Sequence, residues 1–402
     1  MPPFTFEIIA HDKKSRARAG IIHTAHGNIE TPYLVPVATR AAVIALEKED
    51  IKNLKIQALL SNTYHLHMLG LDKKIKLYGS LHTFMHFNKP IITDSGGFQA
   101  FSLGWGKVHN ARKLGFIPQQ DNLNKILEKQ DPKNRYALIT EKGVKFRSVY
   151  DESWHFMSPK ESMRIQSDLG ADIIMAFDEC TSPFSNKDYT KKAIERTHRW
   201  AHLSLKHHNP KQALYGIIQG GQYKDLRIRS AKYINALPFN GIAIGGSLGK
   251  TKKTMHDILD WIIPLLDGRP RHMLGIGWIE DIFECVERGI DTFDCVEMTR
   301  VARHGHLFIS PNAGGSQENK FKLKLNQNKY AKDKRKIDRS CKCLACKKYN
   351  RAQLRKLFKS SDEKYKRLAT IHNIHFMLTL CKNIRESIKQ GTFQALKKKW
   401  IR

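Results

Sequence analysis

Short apolar, β-branched runs recur along the first 300 residues, and most end at a glycine or a polar group. They fall at 33–38 (YLVPVA), 58–61 (ALLS), 91–94 (IITD), 172–177 (DIIMAF), 213–219 (ALYGIIQ), 241–244 (GIAI), 272–275 (HMLG) and 292–296 (TFDCV). Between them lie helix-like stretches such as 158–169, 190–207 and 278–288. Strand–helix alternation of this kind predicts an α/β fold with a parallel sheet covered by helices. Eight strands is the count of a (β/α)8 TIM barrel, whose active site forms at the C-terminal strand ends; a doubly wound open sheet fits the alternation nearly as well. One interval is out of step. Far more residues than one helix needs separate Asp94 from Asp172, and 105–142 is rich in Asn, Gln and Lys. This stretch reads as an inserted surface excursion.

Length and composition then narrow the class. A chain of 402 residues with 41% hydrophobic and 9% aromatic positions builds one large or two ordinary domains and is not disordered. Runs such as WIIPLL at 261–266 are far too short to span a bilayer. The N-terminus has no apolar signal region, so a cytoplasmic protein without membrane attachment is expected.

Charge changes the picture more. Lys and Arg number 69 against 38 Asp and Glu, a formal +31. That excess is unusual for an enzyme confined to small molecules and makes a polyanion the expected partner. The 85 residues from Glu318 to Arg402 hold 26 basic and 6 acidic side chains, so +20 of the excess lies there. The seven cysteines are an odd set, three of them within six residues, which suggests a reducing compartment and a metal.

Candidate chemistry sits at the ends of the apolar runs. Asp94 lies in TDSGGFQ, Asp178 in FDEC, Gln219 in QGG, Asp294 in FDC, and Gly245 and Gly246 follow the sixth run. A single Asp after a strand is commonly a cap or a loop acceptor. Several at corresponding strand ends are harder to explain so, because a parallel barrel gathers those ends. Three carboxylates there can supply a nucleophile, a general base and a reader of N–H donors, and paired glycines let the backbone approach a flat ligand. Further on, Cys341, Cys343 and Cys346 precede His372 by 26 residues or more. Three thiolates and an imidazole make a closed, structural Zn2+ site; His375 is the rival fourth ligand, and a redox cluster is the alternative reading.

With TDSGGFQ, FDEC, GIIQGG, GIDTFDCVEMTR and the CxCxxC group with its distant His in this order, the chain resembles the tRNA-guanine transglycosylase (queuine tRNA-ribosyltransferase) family of bacterial-type catalytic enzymes, over nearly its whole length. The resemblance implies a (β/α)8 barrel over 1–310, a zinc-binding subdomain over 311–375 and a basic C-terminal helix over 376–402. It implies a homodimer that exchanges guanine at the wobble position of tRNAs of the Asp, Asn, His and Tyr type for a 7-deazaguanine. Asp294 matches the nucleophile and Asp94 the general acid/base. Ser95, Asp178, Gln219 and Gly246 match groups that hydrogen-bond the base, and Phe98 and Leu274 those that sandwich it. Thr299, Arg300 and Arg303 match the segment gripping the anticodon, and Cys341, Cys343, Cys346 and His372 the zinc ligands. Gly249 stands where bacterial members carry Val and members that use the larger base queuine carry Gly, so queuine use is expected; an alignment one residue shorter matches it to a generally shared Gly instead. Noncatalytic paralogues lack the carboxylates that Asp94 and Asp294 provide. Archaeal-type members acting on the D-loop usually carry extra C-terminal domains, where this chain has a short basic tail after His372.

Overall fold

The computed structural model describes residues 4–99, 137–246, 248 and 251–401. All eight apolar runs are strands: β1 (Tyr33–Val35), β2 (Leu59–Ser61), β3 (Ile91–Thr93), β4 (Ile173–Met175), β5 (Ala213–Ile218), β6 (Gly241–Ile244), β7 (Arg271–Met273) and β8 (Thr292–Asp294). Nearly every residue in them is buried, as expected of parallel strands covered on both faces. They form one sheet in the order β1-β8-β7-β6-β5-β4-β3-β2. The two strands at the ends of that order meet through the parallel bridge Val37–Leu60, with Ala38 N–H donating to the Leu60 carbonyl at 2.7 Å. An open doubly wound sheet has no such bridge. The fold is an α/β barrel of eight parallel strands.

Packing divides the chain into two compact units. The first comprises Met1–Ala38, Ala42–Leu60 and Pro270–Arg402. It begins with an antiparallel sheet of Thr5–His11, Arg18–Thr24 and Gly27–Thr31. Buried Arg18 ties this sheet to the start of β8 by two bonds to Asp291, at 2.9 and 2.7 Å, and the same carboxylate accepts from the Arg271 N–H at 2.7 Å. Paired geometry of this kind is what allows an arginine and a carboxylate to be buried together. Near the C-terminus a 27-residue helix, Glu363–Lys389, carries Asn373, whose amide bonds the Met298 and His306 carbonyls and the Phe308 N–H.

The second unit comprises Thr39–Ala41 and Ser61–Arg269. Its helices start and stop where the sequence signals them. Pro159–Leu169 is capped by Ser158, which accepts from Glu161 N–H at 3.1 Å, carries Pro at its first position and ends on left-handed Gly170. Between β3 and β4 lies an antiparallel sheet of Ala137–Thr140, Gly143–Arg147 and Trp154–Met157. The excursion expected over 105–142 falls outside the described residues up to 136, and its last residues open this sheet. Among the described residues, no helix is long and apolar enough to cross a membrane.

Candidate active site

In the second unit the chain leaves β3 at Asp94, whose carboxylate is held by the next loop along. Asn62 donates its amide to Oδ2 at 2.5 Å, and the Thr63 N–H donates to Oδ1 at 2.8 Å. Asn62 also caps the helix Thr63–Met68 by accepting from His65 N–H at 3.0 Å, so the side chain that fixes Asp94 is itself fixed. Beside it, Ser95 Oγ donates to Asp178 Oδ1 at 3.3 Å and Gln219 Nε2 donates to Oδ2 at 2.6 Å. Asp178 is only 6% exposed. Burial pushes its pKa up to about 6, against the opposing pull of the Gln219 and Ser95 bonds.

With its amide nitrogen committed to Asp178, Gln219 keeps a buried Oε1 that has no hydrogen-bond partner among the described residues. Gly246 leaves room for this oxygen: a Cβ there would lie 2.1 Å from it, and φ of +84° is itself unfavourable for any side chain. Sequence reasoning missed the group that braces these loops. Fully buried Arg227 donates to the carbonyls of Ile218, Gly221 and Gly245, at 3.2, 2.8 and 2.9 Å, and so clamps the segments bearing Gln219 and Gly246. Burial lowers its pKa to about 10. Phe98 stands 40% exposed on the Asp94 loop.

In the first unit Asp294 is the last residue of β8. Its Oδ1 accepts from the Gly275 N–H at 3.0 Å and lies 3.2 Å from His272 Nε2. The His272 ring is fully buried, and its Nδ1 meets Thr292 Oγ1 at 2.9 Å, so neighbouring strands set the carboxylate's orientation. Leu274 is half-buried just past β7. Helix Glu297–Arg303 follows β8. In it the Thr299 hydroxyl donates to the Val296 carbonyl at 3.1 Å, Arg300 pairs with Glu297, and one buried guanidinium nitrogen of Arg303 has no hydrogen-bond partner among the described residues. The sequence reading also passed over Lys322, whose Nζ lies 3.5 Å from the Trp278 ring centroid. Burial, then the charges of Lys320, Arg300 and Lys324, brings its pKa down to about 8. Such crowding of cations is relieved by an anion.

The same unit holds the cysteine group. Cys341, Cys343, Cys346 and His372 place one ligand atom each within 4.8 Å of all the others. The three Sγ atoms lie 3.6, 3.5 and 3.4 Å from His372 Nδ1. Tetrahedral bonds of roughly 2.3 Å to sulfur and 2.1 Å to nitrogen put S and N about 3.6 Å apart, so the set fits a metal ion. His372 Nε2 donates to the Phe308 carbonyl at 2.7 Å, which presents Nδ1 to the thiols. His375 meets only Cys341 among the cysteines, at 3.5 Å.

The sequence profile of the family described as "Queuine tRNA-ribosyltransferase" matches residues 12–402. The chain belongs to this family. It is 49% identical over 389 residues to the putative queuine tRNA-ribosyltransferase of Archaeoglobus fulgidus, with 96% of each chain covered. The queuine tRNA-ribosyltransferase of Staphylococcus epidermidis is 43% identical over 394 residues, 97% of this chain and 94% of its own. That of Roseiflexus sp. is 40% identical over 410 residues, covering 98% of both.

As a queuine tRNA-ribosyltransferase family member the chain is an enzyme, a pentosyltransferase. The structure brings Asp178, Ser95 and Gln219 together, with Gly246 beside the Gln219 amide. Gly249, on which the expectation about the base rests, lies outside the described residues.

Proposed function

We propose that this transglycosylase exchanges guanine at the wobble position of tRNAs of the Asp, Asn, His and Tyr type for a 7-deazaguanine, through a covalent ribosyl–Asp294 intermediate. One observation carries the reading of the base: the pocket's buried acceptors, the Asp178 carboxylate and the Gln219 Oε1 that has no partner among the described residues. They want a flat ligand that presents N–H donors. A guanine-like ring does so through N1–H and its exocyclic amine, whereas adenine has no such donor pair.

The target nucleoside must leave the anticodon stack to be reached. Both recorded contacts of Asp294 fall on Oδ1, which leaves Oδ2 to attack the anomeric carbon. The C1′–N9 bond breaks through an oxocarbenium-like transition state and an ester to Asp294 forms. Asp94 assists proton transfer to the leaving purine and then takes a proton from the incoming base. The bonds from Asn62 and Thr63 each engage one carboxylate oxygen and hold the group in place for that exchange. The incoming nitrogen displaces Asp294, and two inversions give net retention. In the first unit three thiolates and one imidazole suit Zn2+, which would there have a structural role.

Ionised Asp178 is the form that accepts from the base, so protons compete with base binding. Affinity for the free base should be flat above about pH 6 and fall about tenfold per unit below it. The raised folded pKa also means that ionised Asp178 costs the empty protein roughly 3 kcal/mol above that pH, and nothing below the unfolded value, where the group is protonated in both states. Asp178→Asn should therefore raise the melting temperature of the empty enzyme at pH 7 while weakening base binding and abolishing its pH step. Calorimetric titration between pH 5 and 8 checks this; an affinity that does not change over that range rules Asp178 out as the reader.

We further propose queuine as the accepted base, on the strength of Gly249. Incubation of the enzyme and tRNA carrying labelled guanine with each base should show release by queuine, and Gly249→Val should selectively slow it. Release by 7-aminomethyl-7-deazaguanine alone refutes the preference.

A further inference from the structure

The hairpin turn between Gly143–Arg147 and Trp154–Met157 exposes Tyr150, which is 41% accessible although its hydroxyl is bonded. That hydroxyl lies 2.7 Å from His65 Nδ1, and the two rings meet edge to face at 6.0 Å between centroids. His65 sits on the helix Thr63–Met68, whose first residue and cap hold Asp94. Tyr64 on the same helix packs against Phe146 at 5.4 Å and takes the Val149 N–H at 3.4 Å. The Tyr150 ring is thus a fixed apolar face, braced by the element that positions the acid/base.

Chain topology sets where this face lies. Arg40, His65 and Tyr150 belong to the connections that follow β1, β2 and β3, and so come from the C-terminal strand ends, where barrels act on their substrates. Arg40 is exposed, and among the described residues it has no carboxylate partner. Its charge nonetheless acts on both rings: burial first and Arg40 second lower the His65 pKa, and Arg40 opposes the rise that burial imposes on Tyr150. The turn's own carboxylates are engaged elsewhere, Asp151 with Ser153 and Glu152 with Arg147. Four residues beyond Tyr150 in the chain, Trp154 is 45% exposed with Lys145 Nζ 5.2 Å from its ring centroid, a second exposed aromatic paired with a cation.

An immobilised aromatic face beside an unpaired cation is how proteins hold single-stranded nucleic acid, with the ring stacking on a base and the cation meeting the backbone. We propose that Tyr150 and Arg40 form a nucleotide subsite, Tyr150 stacking on an unpaired base of the tRNA near the exchanged position and Arg40 taking the adjoining phosphate. The inference rests on the tRNA reading given above.

The test uses the full-length enzyme with an anticodon stem–loop RNA, by direct binding at fixed salt and by exchange kinetics. Tyr150→Ala should weaken binding roughly tenfold and raise the KM for tRNA to match, with kcat and the KM for free base within about twofold. Tyr150→Phe keeps the ring and should bind as the parent does. Arg40→Ala should weaken binding and flatten the salt dependence by about one phosphate contact. Melting temperatures confirm that the variants are folded. Unchanged RNA affinity in both alanine variants overturns the subsite. So does a Tyr150→Phe defect as large as that of Tyr150→Ala, since the His65 bond would then be what matters. A changed sedimentation coefficient without a change in RNA binding assigns the face to a second copy of the chain and also overturns it. If the parent binds the RNA but exchanges nothing, the proposed function fails while the binding arm still decides the subsite.

Discussion

Asp294→Asn will reduce guanine exchange by at least about a thousandfold while leaving affinity for tRNA within a few-fold. The size of the loss follows from removing the proposed nucleophile of a covalent route, not one of several supporting contacts. Asparagine has nearly the same shape, and its amide oxygen can still accept the Gly275 N–H that Asp294 accepts at 3.0 Å. What it lacks is the charge that offsets an oxocarbenium-like centre and the oxygen that forms the ester. A denaturing gel after incubation with tRNA separates the outcomes: the parent should show a covalent enzyme–RNA band and the variant none. His272→Gln serves as a control for orientation, because His272 touches Asp294 at Oδ1 and not at the oxygen proposed to attack; its effect should be far smaller. Exchange at the parental rate by Asp294→Asn removes Asp294 from the mechanism.

The parts of this molecule that the sequence made legible are those whose signal is local. Barrel strands buried on both faces leave uninterrupted apolar runs, and several runs ended near a candidate site residue, as at Asp94, Gln219 and Asp294. Gln219 closed the fifth run but lies just past its strand, where its amide meets Asp178 at 2.6 Å. The cysteine spacing was legible for the same reason, since CxCxxC is a contact written into three neighbouring positions. Groups that act through distance were not. Arg227 lies in KDLRIRSAKYIN, where an arginine reads as solvent-facing helix, yet it is fully buried and braces two loops. Lys322 is one basic residue among many until the fold sets it over Trp278. The sheet of Ala137–Thr140, Gly143–Arg147 and Trp154–Met157 has strands of four or five residues that expose Trp154 and Phe156, so the pattern gives no apolar run to recognise.

Removing the metal should unfold much of the first unit. Cys343 and Cys346 are buried in a cluster with Leu307, Leu323, Ile337, Leu354 and Leu368, so a metal held there would substitute for apolar packing that three thiols cannot provide. Binding at such sites is worth about 10–16 kcal/mol in small zinc modules, comparable with or above the 5–15 kcal/mol that holds a whole domain together. The consequence reaches beyond the cluster. His372 bonds the Phe308 carbonyl, and its neighbour Asn373 bonds the Met298 carbonyl in the helix that also bears Arg300 and Arg303. A stripped enzyme should therefore lose tRNA affinity as well as stability, although no ligand of the metal belongs to the proposed chemistry. Chelation is expected to lower the melting temperature by more than about 10 °C, and metal analysis of the untreated enzyme should find one zinc per chain. Between the two histidines the geometry decides: His372 Nδ1 lies within 3.6 Å of all three sulfurs, whereas His375 Nδ1 approaches Cys341 alone. His372→Ala should thus lose zinc and His375→Ala retain it, and the reverse result would transfer the fourth ligand to His375.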